Sequence, residues 1–396
     1  MTLSSRMLFR HSKGELNMEI IKTGIVHRKT EGPCRYQAWP SLCIDENGVL
    51  YAVWSGDRSS HVCPFGKNLM SISRDGGEKW CPPIIVNDTW LDDRDGGVTY
   101  LGDGKMLISY FHHPKDIYRT DWKSWILDGA DGGDPMFREM LDGYLRAYVH
   151  FAPEKDTYGS FIKRSDDYGV TWGDPIRVPI SAPHGPVKTA SGRLLYLGKE
   201  FNATMHRYNE KMASGEDPIP PEDRGQIFLY ESFDDGDTWV KLSRLPLPEG
   251  TTTDNIHEPH VLELPNGELV AALRGQQAPV YRGFSMFFLN STDGGRSWST
   301  PRSCEISGSP PHLLLTSDGS IVVTYGRREE PFGIRAVVSR DGCRTFSEEM
   351  IISSTWIGDL GYPATVELAD GSFVSVYYQR YENDARTSIL YTKWKL

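Results

Sequence analysis

The sequence predicts an all-β chain folded as a six-bladed β-propeller, and three observations carry that prediction. An eight-residue pattern, Ser-x-Asp-x-Gly-x-Thr-Trp, stands at residues 232–239 and recurs at 73–80, 165–172 and 291–298, with a decayed copy at 339–346 that has Cys343 for the Gly and Phe346 for the Trp. A second signal, a Gly after Asn, Asp or Ser that opens an alternating apolar strand, occurs six times, at Gly48, Gly104, Gly192, Gly267, Gly319 and Gly371. Each of the first five hairpins is followed by one copy of the eight-residue pattern, and a repeat of this kind means a repeat architecture.

The eight-residue pattern has the chemistry of a tight turn. Its Ser and Asp side chains accept backbone N–H groups, its Gly supplies a backbone angle that other residues resist, and its Trp buries a large apolar face over the loop. Nothing in it is reactive. Turns with Gly between runs of β-branched and aromatic residues are hairpins. Six hairpins give six blades of about four strands. The sixth blade lacks a copy of the pattern, and the early strand at 19–26 is placed to close the ring beside it, which protects edges that an open sheet would expose. No amphipathic helix pattern competes. Residues 1–17 read as an N-terminal extension and 18–396 as one propeller domain. Two long insertions break the rhythm. Residues 111–160, with Trp122 and Trp125, are expected to cover a site and stack on a sugar ring; residues 201–225 are rich in Pro and charge.

Bulk properties narrow the function. The net charge is −10 and no Lys/Arg run stands out, which argues against nucleic acid or an anionic membrane surface as partner. No stretch approaches the ~20 apolar residues of a membrane span, and residues 1–18 hold no apolar core of a secretory signal. The six cysteines show no metal-finger spacing, so we expect free thiols, a cytoplasmic setting, and neither metal nor cofactor. Oligomeric state is left open.

Aligning the blades on the hairpin Gly brings distant residues into one register. Eight positions before each Gly stand Pro40, Gly96, His184, Pro259, Pro311 and Pro363. One position earlier stand Trp39, Asp95, Pro183, Glu258, Pro310 and Tyr362. These residues open the innermost strand of each blade, which places them around one mouth of the central channel. His257, Arg94 and Asp359 lie beside them.

The eight-residue turn is the Asp-box, and with it the chain resembles the sialidase superfamily of propellers. The resemblance extends to Glu258 in His257-Glu258-Pro259-His260 and to Tyr362 in Gly361-Tyr362-Pro363. It implies a Tyr nucleophile with a Glu as its base, and therefore an exo-α-sialidase-like glycoside hydrolase acting on a glycan with a terminal acidic sugar. A phenol, with a pKa near 10, needs such a base to attack near neutral pH. Arginines would fork onto the sugar carboxylate: Arg274 matches one member of the family's triad, and Arg335, Arg327 or Arg328 could supply another. The first-blade arginine is missing, its slot being Ala38, with Arg35, Arg58 or Arg94 as substitutes. The acid's slot holds His61, with Asp57 and Asp95 as rivals. Trp39, His184 and His257 complete the candidate binding residues. The same face suits two other functions: a polysaccharide lyase acting on a uronate, for which His61, His184 and His257 would serve, or a non-catalytic carbohydrate-binding propeller.

Overall fold

The computed structural model describes residues 18–113, 118, 123–128, 135–151, 159–200, 220–277 and 283–396. Strand β1 (Glu19–His27) is held for the last sheet. The first blade is β2 (Tyr36–Ile44), β3 (Leu50–Arg58), β4 (Lys67–Ser73) and β5 (Ile84–Asn87). The second is β6 (Arg94–Gly102), β7 (Lys105–His112), β8 (Gly159–Ser165) and β9 (Ile176–Val178). In the third, the inner position is split between β10 (Ile180–Ser181) and β11 (Val187–Lys188), both pairing β12 (Leu194–Glu200), followed by β13 (Ile227–Ser232) and β14 (Val240–Arg244). The fourth is β15 (Ile256–Glu263), β16 (Leu269–Gln276), β17 (Phe284–Ser291) and β18 (Arg302–Ser307). The fifth is β19 (Pro311–Leu315), β20 (Ile321–Arg327), β21 (Gly333–Ser339) and β22 (Met350–Ser354). The sixth is β23 (Gly361–Glu367), β24 (Phe373–Arg380) and β25 (Thr387–Lys395), completed by β1 pairing antiparallel to β25. The ring is thus six-bladed, closed by the N-terminal strand.

That closure explains the missing sixth Asp-box. The boxes join the third and fourth strands of a blade. In the sixth sheet those strands lie at opposite ends of the sequence, so no hairpin joins them. In each box the Ser hydroxyl donates to the Asp carboxylate and accepts the N–H four residues on: Gly77 to Ser73, Gly169 to Ser165, Gly236 to Ser232 and Gly295 to Ser291, over 2.9 to 3.0 Å. The decayed copy keeps the bond, from Cys343 N to Ser339 Oγ at 2.9 Å, with Cys343 taking a φ of 59°. Strands alternate in direction, so the boxes fall on the face opposite the one where the inner strands begin.

The core is divided among the seams between blades. Leu50, Trp54, Val374 and Tyr378 pack blade six on blade one; Leu195, Leu229, Leu269 and Phe287 pack blade three on blade four. The aromatic of each box seals the seam to the preceding blade, Trp80 against the first of these clusters and Trp298 against the second, each half-buried.

The sequence offers no amphipathic helix pattern, and the structure departs from that reading in one insertion. The insertion in blade two carries helices, α1 (Lys123–Asp128) and α2 (Pro135–Phe151). Phe137, Leu141 and Leu145 recur every fourth residue along α2 and bury against Val62, Leu91 and Ile126, one apolar stripe of a helix. The helices therefore pack on the mouth-side loops of blades one and two. The side chains of Trp122 and Trp125, most of 201–225 and the extension 1–17 lie outside the described residues.

Candidate active site

The register position that opens the inner strands has an unusual backbone. Trp39, Asp95, Glu258 and Tyr362 have φ values of 53°, 50°, 41° and 50°, the left-handed region that non-Gly residues avoid. Each falls inside a break of the ladder to the next strand, between Ala38 and Ser41, Arg94 and Gly97, His257 and His260, and Gly361 and Ala364. These are β-bulges, which re-aim a side chain and are common beside active sites. Four blades thus use one strained device to turn one residue each into the mouth. The Asp95 N–H freed from the ladder is caught by Ser55 Oγ at 2.9 Å.

Those residues line a cavity of about 290 Å³ at the mouth, together with His61, Arg94, Lys199, His257, Arg274, Gln276 and Arg328. At its floor the Tyr362 hydroxyl donates to Glu258 Oε1 over 2.6 Å and accepts from Arg274 Nη1 at 3.0 Å. Arg274 also pairs with Glu258 Oε2 and donates to Gln276 Oε1 at 2.7 Å. Burial works to raise the Glu258 carboxyl, but the Arg274 charge and the bonds from Tyr362 and Arg274 outweigh it, so the net shift is downward. Tyr362 moves the other way. Burial, then the Glu258 charge, hold its phenol well above its ordinary range, so the proton sits on Tyr362 and the charge on Glu258.

Asp95 is different from Glu258. Burial, with some push from Glu258 against the pull of Arg94, raises its carboxyl to about 7, and its Oδ1 has no hydrogen-bond partner. A carboxyl so placed carries a proton up to neutral pH. His61 lines the cavity and is exposed as a residue, with its imidazole partly enclosed at the cavity wall. That enclosure, and more securely the charges of Arg94, Arg58, Arg328 and Arg274, hold the ring below the usual histidine range, so it is neutral. His257 is lowered to about 4, by burial and then by Lys199. Its Nε2 donates to Asp254 O at 2.8 Å, which leaves Nδ1 to accept from Lys199 Nζ at 3.0 Å.

Among the described residues, three arginines reach the cavity, from three blades. Arg274 is tied to Glu258. Arg94 lies over Trp39, 4.3 Å from guanidinium carbon to ring, and 3.6 Å from Asp92. Arg328 lies over the Tyr362 ring at 5.5 Å and donates to the Tyr378 hydroxyl at 3.2 Å, a neutral partner; its Nε is buried without one.

The structure therefore gathers Tyr362, Glu258, Asp95, His61, Arg94, Arg274, Trp39 and His257 at one cavity. Three expected binding residues lie elsewhere. Arg58 is fully buried behind Trp39, forked onto Asp92, with Nη2 to Oδ2 at 2.7 Å, so it braces the wall. Arg335 is on the third strand of its blade and spends its guanidinium on Ile334 O, Ser353 O and Pro331 O and on Glu349, away from the mouth. His184 is buried among His260 and His312, ring centroids 5.3 and 4.9 Å away, and does not line the cavity. Asp57, on the second strand of blade one, pairs with Lys29 at 2.8 Å. Lys199, Gln276 and Phe111 line the cavity and have no counterpart among the sequence candidates; a register taken forward from the hairpin Gly would have found them.

The comparisons with known proteins agree with this architecture. The chain is 27% identical over 165 residues, 38% of it, to an exo-alpha-sialidase of Aspergillus fumigatus, and 23% identical over 225 residues, 53% of it, to a xyloglucanase of a Paenibacillus species. It spans only 34% and 20% of the length of those two relatives. A crystal structure of a protein of unknown function from Dyadobacter fermentans superposes with a TM-score of 0.72 at 19% identity, over 96% of this chain and 99% of that one, a likeness of fold. The family model for the BNR repeat-like domain matches residues 120–376, well over half of the sequence, and the chain belongs to that family of propellers.

Proposed function

We propose that this chain is an exo-acting glycoside hydrolase that removes a terminal anionic sugar, sialic-acid-like in carrying a carboxylate, from a glycan. The observation that carries the reading is the Tyr362 hydroxyl held at 2.6 Å from Glu258 and 3.0 Å from Arg274. A Tyr that attacks with its proton leaving to a carboxylate is an activated nucleophile, and sialidases are the known exception to the two-carboxylate scheme. A neutral phenol at the attacking position also avoids repelling an anionic sugar.

The steps balance within these residues. Tyr362 Oη bonds to the anomeric carbon and its proton passes to Glu258. The bond from that carbon to the leaving oxygen breaks, and the oxygen takes the proton of Asp95. Water then attacks the anomeric carbon and gives a proton to the Asp95 carboxylate. Tyr362 leaves and recovers its proton from Glu258.

The charge of the cavity supports an anionic substrate. Arg94, Lys199, Arg274 and Arg328 face Glu258 and an Asp95 that is protonated for much of the pH range, so the site is positive in a chain of net charge −10. Arg328, whose hydrogen-bond partner is a phenol, is suited to fork onto a substrate carboxylate. The volume, at the lower edge of the roughly 300–1,000 Å³ common for ligand sites, suits one terminal residue. The likeness to an exo-alpha-sialidase points the same way. The test is turnover of aryl glycosides of acidic sugars against matched neutral sugars. Release of the aryl group from the acidic glycosides alone is the expected result. Equal turnover of neutral sugars, or a product with a new ultraviolet-absorbing double bond, would replace the reading.

A further inference from the structure

We propose that Asp359 is a positioning residue which, through Tyr36 and Tyr378, fixes the tautomer of His61 and orients Arg328 in the cavity. The consequence for substrate rests on the hydrolase reading above; the tautomer does not.

Asp359 Oδ1 accepts from the Tyr36 hydroxyl at 3.0 Å and from the Tyr378 hydroxyl at 3.3 Å. A phenol has one hydrogen to give. Tyr36 gives it to Asp359, so its contact with His61 Nδ1 at 3.2 Å is one in which the oxygen accepts. Nδ1 therefore carries the ring hydrogen, and Nε2 is the acceptor nitrogen of a neutral ring. Tyr378 likewise gives its hydrogen to Asp359 and accepts from Arg328 Nη2 at 3.2 Å. One carboxylate oxygen thus sets the direction of two hydroxyls, and these set the donor-acceptor pattern at His61 and at Arg328.

The relay is built to be rigid. Tyr36 and Tyr378 are buried, and their rings lie 6.1 and 6.4 Å from that of Trp39. Burial raises both phenols, so neither gives up its proton at ordinary pH. Arg328, held by a phenol, keeps its full charge for the carboxylate.

The test is the nitrogen-15 spectrum of the full chain at pH 7, with the His61 signals identified by their loss in His61→Gln. The expected result is Nδ1–H in the parent protein, unchanged in Asp359→Asn, whose amide oxygen still accepts, and Nε2–H in Asp359→Ala and Tyr36→Phe. Nε2–H in the parent, or an unmoved tautomer in a folded Asp359→Ala, overturns the proposal. If Asp359→Ala does not fold, Tyr36→Phe decides, because it removes the link and leaves the carboxylate. KM for an acidic glycoside should rise about tenfold in Asp359→Ala and stay near the parent value in Asp359→Asn; equal changes in both would remove the role toward Arg328. A protein that turns over no glycoside would fail the hydrolase reading while the tautomer remained readable.

Discussion

Tyr362 donates its phenol hydrogen to Glu258 over 2.6 Å, although 104 positions separate the two in sequence. Both come from bulged strand openings with left-handed backbone, Glu258 on blade four and Tyr362 on blade six. The pair is already aligned for transfer of the proton, since a general base must lie within about 2.6–3.2 Å of the hydrogen it takes. Tyr362→Phe should therefore abolish turnover while a non-hydrolysable analogue still binds. Glu258→Gln, which keeps the shape and cannot take a proton, should lower kcat by about 10²-fold or more. Steady-state kinetics beside calorimetric binding checks both. If the Phe variant kept most of its rate, Tyr362 would be a stacking aromatic and the covalent route would fall.

Activity should depend on pH through two carboxyls with opposite requirements. Glu258 must be ionised, and its shift is downward, so the acid limb lies below the ordinary range for a glutamate. Asp95 must be protonated, and its carboxyl sits at about 7, so the rate should fall as pH rises through neutrality. Asp95→Asn should remove the alkaline limb and lower kcat for a natural glycan. It should cost much less for an aryl glycoside whose leaving group needs no proton. A pH–rate profile of the two proteins on the two substrates checks this; an unchanged alkaline limb in Asp95→Asn would assign the acid to another group.

Arg328 should act on binding more than on the chemical step. Its Nε is buried without a partner and its neighbour is a phenol, so a substrate carboxylate would be its strongest ligand. Arg328→Ala should raise KM for an acidic glycoside by roughly 10-fold or more, the scale of a charged hydrogen bond worth about 1.5–3 kcal/mol. Arg328→Lys should restore only part of it, because an ammonium cannot fork onto a planar group. A matched neutral sugar, followed by calorimetric binding, should show no difference between parent and variant. If it lost affinity equally, Arg328 would be shaping the wall and not reading charge.

The parts of the site legible in sequence were those that follow the repeat. Counting back from each hairpin Gly reached Trp39, Asp95, Glu258 and Tyr362 because the bulge recurs at the same step in four blades. Counting forward works in part. Seven positions after the Gly stand Ser55, Phe111, Lys199, Arg274, Gly326 and Tyr378; nine positions after stand Asp57, His113, Phe201, Gln276, Arg328 and Arg380. Phe111, Lys199 and Arg274 of the first set and His113, Gln276 and Arg328 of the second line the cavity, on alternate residues as the two-residue period of a strand requires, while Ser55, Asp57, Gly326, Tyr378 and Arg380 do not. Arg58 and Arg335 misled because residue type says nothing of what a guanidinium meets: one found Asp92 and the other three carbonyls before either reached the mouth. His184 shares its register slot with prolines and glycine, not with the acidic and aromatic residues one step earlier. The helices α1 and α2 were missed because their stripe is short and lies inside an insertion, where no repeat supplies a frame.

The box tryptophans should carry stability and leave the chemistry alone. Trp239 lies on the far side of its blade from the mouth, with Nε1 donating to Gly236 O at 3.0 Å and its ring 5.6 Å from that of Tyr196. It packs against the cluster of Leu107, Ile162 and Phe228 that joins blade two to blade three. Burying a whole Trp in a core is worth about 3–5 kcal/mol on truncation, and Trp239 is only half-buried, so Trp239→Ala should cost ~2 kcal/mol. The loss should appear as a lower denaturant midpoint. The bulges that aim Glu258 and Tyr362 belong to blades four and six, which Trp239 does not touch. Turnover per folded molecule should therefore equal that of the parent at a temperature where both are folded. A Trp239→Ala protein that melts like the parent but turns over slowly would mean that the seam between blades two and three, and not the bulged strand openings alone, sets the geometry of the mouth.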